Sequence, residues 1–193
     1  YHADHIGGLD EVAVGSGALS VRTVYDRGPA SIGTQAYEQY SGQFSAQRKG
    51  VSVGQTFTLC DQVCFKVVQV NGAAIDDENA RSVVLRMNHG RFSMLLGGDL
   101  TGSTPDLETG LRMAVGAVDV YKVHHHGSGT SSNPTFLLWL DPTVSLISVG
   151  WNNSYGHPHL GTVGRLQAIG SAIWMTEERS EEHTSELQSR YVI

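Results

Sequence analysis

The chain has 193 residues, of which 40% are hydrophobic and 23 are glycine, enough for one domain with a sizeable core. Charged residues make up only 17%, which argues against a disordered or coiled-coil chain. The net charge of −6 excludes a basic stripe of the kind that neutralises nucleic-acid phosphates, and no apolar run approaches the ~20 residues of a membrane helix. In chain order, residues 18–25 (ALSVRTVY) alternate and are β-branched, predicting a strand that ends at Asp26-Arg27-Gly28-Pro29. Residues 34–48 have helical period, with Tyr37, Tyr40 and Phe44 on one face. Residues 57–70 form a hairpin candidate turning near Asp61-Gln62. Residues 82–87 and 91–96 read as two strands around Asn88-His89-Gly90. A helix is expected over 105–113, where Asp106 and Glu108 look like first-turn charges. A strand follows over 118–123. Asn133-Pro134 predicts an N-cap and first helical position for a helix through Leu140. Residues 144–149 read as a buried strand, 158–169 as a helix stopped by Gly170, and 172–175 as a last strand. Leu137, Leu138 and Trp139 are expected in the core. The alternation gives a single α/β unit.

Both ends have a different texture from the body. The chain opens at Tyr1 without methionine and is inside a charged motif by His2, so we expect further residues to its left in the parent protein. At the other end, residues 179–189 (RSEEHTSELQS) coincide with the translation of a common sequencing-library adapter. The folded unit is therefore expected to span 1–178, with 179–193 an artefact that takes no part in the fold.

The chemistry concentrates in histidine and aspartate. His2, Asp4 and His5 offer three metal-capable side chains within four residues. Asp99 follows the apolar run 94–98. His124, His125 and His126 follow the strand 118–123, and His157 and His159 follow the strand 144–149. Sites in open α/β sheets collect at the carboxyl ends of strands, so three such ends carrying Asp or His point to a metal site. His89 is the exception. It sits in a hairpin turn ten residues before Asp99, about 30 Å away at strand rise, and cannot share that site. Ser128 has no base–carboxylate pair to make it a nucleophile. Asn152, Asn153 and Tyr155 suit either a polar site lining or a plain turn. Cys60 and Cys64 can either close a bridge across the hairpin, implying an oxidising compartment, or stay free.

The motifs HADHIGG, LLGGDL, VYKVHHHGSGTSS and ISVGWNNSYGHPH, in that order, resemble the metallo-β-lactamase-fold hydrolases. Within them they resemble the branch found in ComEC-type DNA-internalisation competence proteins and their free-standing secreted relatives. The resemblance implies an αββα sandwich, here incomplete because the strands that precede the first motif are missing. It implies two divalent ions, zinc or manganese, held by His2, Asp4, His5, Asp99, His125 and His157. His2, Asp4 and His5 match the last three ligands of His-x-His-x-Asp-His, and Asp99 matches the bridging carboxylate. His126 and His159 are second choices. Asp4, Asp99 and His126 become the catalytic groups. The implied activity is hydrolysis of a DNA phosphodiester by metal-activated water, beside a membrane channel encoded upstream and outside the cytoplasm; the piece alone is expected to be weakly active or inactive. Hydrolysis of a lactone, thioester or β-lactam on the same fold, or a non-catalytic metal-binding role attached to a channel, stays open.

Overall fold

In the computed structural model, residues 1–14, 17–60, 62–72 and 77–176 are described, so the adapter-like residues 179–193 lie outside the described residues. Among the described residues nine strands run in chain order: β1 (Val24–Asp26), β2 (Arg48–Gly50), β3 (Thr56–Leu59), β4 (Val63–Gln69), β5 (Val84–His89), β6 (Phe92–Leu96), β7 (Val120–Lys122), β8 (Val144–Ile147) and β9 (Ala172–Met175). The α-helices are α1 (Ala3–Ile6), α2 (Gln35–Gln43), α3 (Arg112–Val115), α4 (Pro134–Leu140) and α5 (Leu160–Ala168). Strands β3 to β9 form one sheet in sequence order, antiparallel from β3 to β6 and parallel from β6 to β9. The parallel half is what positions the site. Its register, Leu96↔Lys122↔Leu146↔Trp174, brings the carboxyl ends of four strands level.

Period-two burial explains how the sheet is layered. Leu95, Tyr121 and Ser145 share one register row and are fully buried. They belong to the face whose core continues into Leu111 and Val115, Phe136, Leu137 and Leu140 of α4, and Val163 and Leu166 of α5. Met94, Leu96, Val120 and Leu146 point to the other face and are half-buried. The fold is thus a mixed α/β architecture with a seven-stranded sheet flanked by helices, and the second β-layer among the described residues is the two-stranded parallel pair β1–β2. A second core, of Ile6, Tyr37, Tyr40 and Phe44, joins α1 to α2.

Several sequence expectations are corrected. Over 18–25 only Val24–Asp26 is strand, because the partner segment β2 offers three residues to pair with. The turn between β5 and β6 is one residue later than expected, since His89 still pairs with Phe92. Residues 105–108 are not helical; a 3-10 turn begins at Thr109 and α3 follows. In α4, Asn133 caps as expected, its side chain accepting from the Phe136 amide at 2.9 Å. Leu137 is core, but Leu138 and Trp139 are exposed, as the ~100° step between helical residues dictates once Phe136, Leu137 and Leu140 face inward. Cys60 and Cys64 are free thiols. The partner of Cys64 across β3 is Thr58, and Cys60 lies beyond the end of that strand, so the hairpin register keeps the pair from facing each other.

Candidate metal centre

Three chain segments converge. Asp99 leaves β6 after Gly97-Gly98, and the Ser82 hydroxyl accepts its backbone amide at 3.0 Å. Its carboxylate is 6% exposed. The segment 124–127 leaves β7 with His125 at φ 50°, ψ 44° and His126 at φ 53°, ψ 22°, two consecutive non-glycine residues in the left-handed region. Each costs about 1–2 kcal/mol of local strain, so the surroundings must hold them. The His125 amide donates to the Gly98 carbonyl at 3.0 Å, which ties this turn to the Asp99 loop. The third segment is α1, which carries Asp4 and His5.

One ligand atom each from Asp4, His5, Asp99 and His126 lies within 4.8 Å of the others. His5 Nε2 is 3.0 Å from Asp99 Oδ2. His126 Nε2 is 3.4 Å from Asp99 Oδ1, 3.2 Å from Asp4 Oδ2 and 3.3 Å from His5 Nε2. His126 Nδ1 donates to the Ser148 carbonyl at 2.6 Å, so in a neutral ring Nε2 presents a lone pair. That lone pair faces carboxylate oxygens and another imidazole nitrogen. Asp99 Oδ1 is buried and has no hydrogen-bond partner. Acceptors crowded together, one of them orphaned, need a cation or shared protons between them. Two nitrogen and two oxygen donors suit a divalent zinc, manganese or iron ion. The donor set fits a metal.

The remaining candidates stand around this group. His125 Nε2 is 4.0 Å from Asp99 Oδ2, and its Nδ1 lies 3.4 Å from Thr130 Oγ1. His157 packs its ring 5.5 Å from His125 and nearly parallel to His126 at 6.2 Å. His2 is exposed and outside the four. His159 Nδ1 accepts the Gly129 amide at 2.8 Å, which leaves the proton of a neutral ring on Nε2. His89 stays in strand pairing at the hairpin end. Asn153 is a loop staple, donating to the carbonyls of Gly150 and His157 and accepting from the His157 amide. The exposed Tyr155 stacks on His157. Ser128 is buried, its hydroxyl paired with Thr130.

The electrostatics favour ligand forms. Burial works to raise the Asp99 carboxyl, but the His5 hydrogen bond and the charges of His5, His125 and His126 hold it at about 2. Burial lowers His125, with help from His126 and His2 and against Asp99. Burial also lowers His157, reinforced by His125, His159 and His126. Both rings are thereby kept neutral near pH 7. Lys122, at the end of β7, is lowered by burial while Asp99 and Asp4 oppose the shift.

Sequence reasoning named Glu108 and His124 but missed that they pair with each other in the core. Glu108 is not a solvated first-turn charge but fully buried, with His124 Nδ1 at 2.7 Å from its Oε1. Its only sequence signal is a lone acid between Leu107 and Leu111.

Comparison with known proteins adds the family context. No protein-family model matches the chain. It is 29% identical over 129 residues to Recombination protein 2 of Haemophilus influenzae and 31% over 139 residues to ComE operon protein 3 of Bacillus subtilis. It is also 31% identical over 117 residues to Competence protein ComA of Neisseria gonorrhoeae. Its relatives are competence proteins. The alignments cover 67%, 69% and 61% of this chain but 16%, 18% and 17% of those competence proteins, so the chain spans under a fifth of their length. Among solved structures, a protein described as a metal-dependent hydrolase from Parabacteroides distasonis matches 91% of this chain and 72% of its own, with TM-score 0.52 and 10% identity. CmlA, a diiron β-hydroxylase from Streptomyces venezuelae, matches 74% of this chain and 35% of its own, with TM-score 0.51 and 13% identity. At such identities the likeness is one of fold alone. Among the described residues no helix is long and apolar enough to cross a membrane.

Proposed function

We propose that this chain is the metal-dependent hydrolase unit of a competence-type protein and that it cleaves phosphodiester bonds in DNA. One observation carries the reading: the orphaned Oδ1 of Asp99, buried beside His126 Nε2, whose lone pair also meets Asp4 Oδ2. Asp4, His5, Asp99 and His126 would hold one divalent ion, and His125 and His157, beside Asp99, would be the residues to hold a second. Such ions supply Lewis acidity for the scissile group and an acidified water as nucleophile. The chain's own residues do the rest. Asp99, ionised down to about pH 2, keeps a fixed negative charge between the two ligand sets. Asp4 is 58% exposed, and its carboxylate oxygen turned away from His126 would be placed to take a proton from water. His126, fixed through Nδ1 by the Ser148 carbonyl, holds its Nε2 toward both carboxylates. The competence relatives favour DNA over a lactone, thioester or β-lactam, and we place the unit outside the cytoplasm beside a membrane channel.

The test is a purified chain loaded with Mn²⁺ or Zn²⁺ and offered labelled single- and double-stranded oligonucleotides, a lactone, a thioester and a β-lactam. Oligonucleotide cleavage lost in Asp99→Ala supports the reading. Turnover of only a small carbonyl substrate would replace it with the alternative hydrolase, and metal uptake with no turnover would fit either a weakly active piece or a metal-binding domain.

A further inference from the structure

Two left-handed histidines in succession demand an external brace, and beyond the Gly98 and Ser148 carbonyls that brace lies away from the metal cluster. Residues 124–133 leave β7, pass through His125 and His126, and arrive at the N-terminus of α4. Both ends of this segment are tied to one carboxylate. At the start, His124 is fully buried and its Nδ1 lies 2.7 Å from Glu108 Oε1. At the end, the Ser132 amide donates to Oε1 at 2.7 Å and the Asn133 amide to Oε2 at 2.8 Å. These donors lie 16, 24 and 25 residues along the chain from Glu108. The cradle has no slack. A Cβ on Gly102 would stand 1.9 Å from Glu108 Oε2, and one on Gly97 would stand 2.0 Å from His124 Nε2.

We propose that Glu108 is a positioning residue of the metal centre: it staples the two ends of residues 124–133 and so holds the strained His125–His126 turn in the shape that presents both imidazoles to Asp99. Glu108 reaches that site only through His124 and the loop. The inference rests on the reading of the cluster as a metal centre. Bidentate acceptance by a buried carboxylate is what the role requires, because Oε1 serves both the His124 imidazole and the Ser132 amide while Oε2 takes the Asn133 amide. An amide in its place would turn one acceptor into a donor facing a backbone N–H.

The experiment measures metal affinity rather than turnover. Wild-type chain, Glu108→Gln, His124→Leu and His124→Asn are titrated with Mn²⁺ and Zn²⁺, and the visible spectrum of the Co²⁺ form is recorded for each. Asparagine places an amide N–H close to where His124 Nδ1 stands, so it restores the donor that leucine removes. Loss of an outer partner of this kind weakens metal binding by about 10–100-fold, and that loss with a changed Co²⁺ spectrum is expected for Glu108→Gln and His124→Leu. His124→Asn recovers most of the affinity. Leu140→Ala, a core truncation in α4, serves as the stability control and lowers Tm without moving the metal Kd. If Glu108→Gln does not fold, the contrast between leucine and asparagine at 124 decides. Unchanged affinity and spectrum in Glu108→Gln, no difference between the two 124 variants, or an equal loss of affinity in Leu140→Ala overturns the staple. A wild-type chain that takes up none of the three ions overturns the metal reading first and the staple with it.

Discussion

The cluster draws its four side chains from two regions built on different principles. Asp99 and His126 sit where parallel strands end, in loops tied to one another by Gly98, Ser82, Ser148 and the Glu108 carboxylate. Asp4 and His5 sit on α1, a four-residue helix whose N-cap makes no side-chain hydrogen bond. The Asp99 carboxylate is 6% exposed and that of Asp4 58%. What seats α1 is Ile6, buried among Tyr37, Tyr40 and Phe44, together with Tyr1 just before the helix, whose hydroxyl donates to the Gly28 carbonyl at 2.6 Å. One half of the site is held by directional bonds on the ligand loops themselves, the other by packing and by bonds at Tyr1 outside the helix, which fix its backbone more than its side-chain atoms. Preorganisation at a metal centre belongs to the first kind, so the two halves should fail differently when cut.

The largest effect is expected at Asp99, which contacts His5 and His126 and neighbours His125. Asp99→Ala should weaken metal binding by more than the ~100-fold that bounds the loss of an outer partner, and abolish any metal-dependent hydrolysis. Equilibrium dialysis followed by elemental analysis checks it. A variant that keeps its metal would show that the cluster is held by something other than this carboxylate.

Next comes a direct contrast of the halves. His126→Ala should cost more affinity than Asp4→Ala, because solvent can replace an exposed carboxylate but not a ring whose other nitrogen is fixed at 2.6 Å from the Ser148 carbonyl. Calorimetric titration of both variants reads the difference. Equal losses, or a larger loss at Asp4, would mean that α1 is as firmly preorganised as the strand ends. His89→Ala, at the far hairpin, is the variant expected to change neither.

How much of this was legible beforehand follows the same division. The strand ends could be read, because apolar runs followed by Gly-Gly-Asp or His-His-His mark where buried strands emerge, and the cap at Asn133 is purely local chemistry. The metal-capable side chains at the start were legible, though neither the helix that carries them nor how α1 is seated, which depends on an aromatic face more than thirty residues on. Glu108 was illegible for a sharper reason. Its partners are three separate donors 16 to 25 residues away, and an acid in the stretch Pro-Asp-Leu-Glu looks the same whether solvated or enclosed. Residues 18–23 show the converse error, a good local strand pattern that finds no edge to pair with.

A smaller effect is expected in the seat of α1. Tyr40 donates to Asp26 Oδ2 at 2.7 Å, and Arg48 Nε reaches the same oxygen at 2.6 Å. Tyr40→Phe removes one donor from a buried carboxylate and should cost about 1.5–3 kcal/mol in chemical denaturation, the range for hydrogen bonds to charged groups. Affinity for metal should fall less than in His126→Ala, since packing rather than that bond aligns α1. A metal Kd that collapses with Tyr40→Phe would make the second core as directional as the first.

The smallest effect probes the strands of the site at their opposite ends. Asp119, just before β7, accepts from the Ser93 amide at 2.7 Å and the Ser93 hydroxyl at 2.9 Å, pinning β7 to β6. Those backbone and side-chain hydrogen bonds lower its pKa below the ordinary aspartate value. A lowered folded-state pKa means that the unfolded chain takes up the proton first as pH falls. The stabilisation is therefore complete above the unfolded value of about 3.9 and is lost as pH drops through the folded one. Asp119→Asn keeps one acceptor and loses the charge, so its Tm deficit against wild type should be small at pH 7 and shrink toward zero below pH 4. The group is solvent-facing, and salt should shrink the deficit further. Metal affinity should not move, because the bond lies at the entry of β7 and the ligands lie beyond its exit. A Tm deficit that grows on acidification would reverse the sign of the linkage, and a change in metal affinity would mean that the register of β6 and β7, not only the loops at their ends, sets the geometry of the centre.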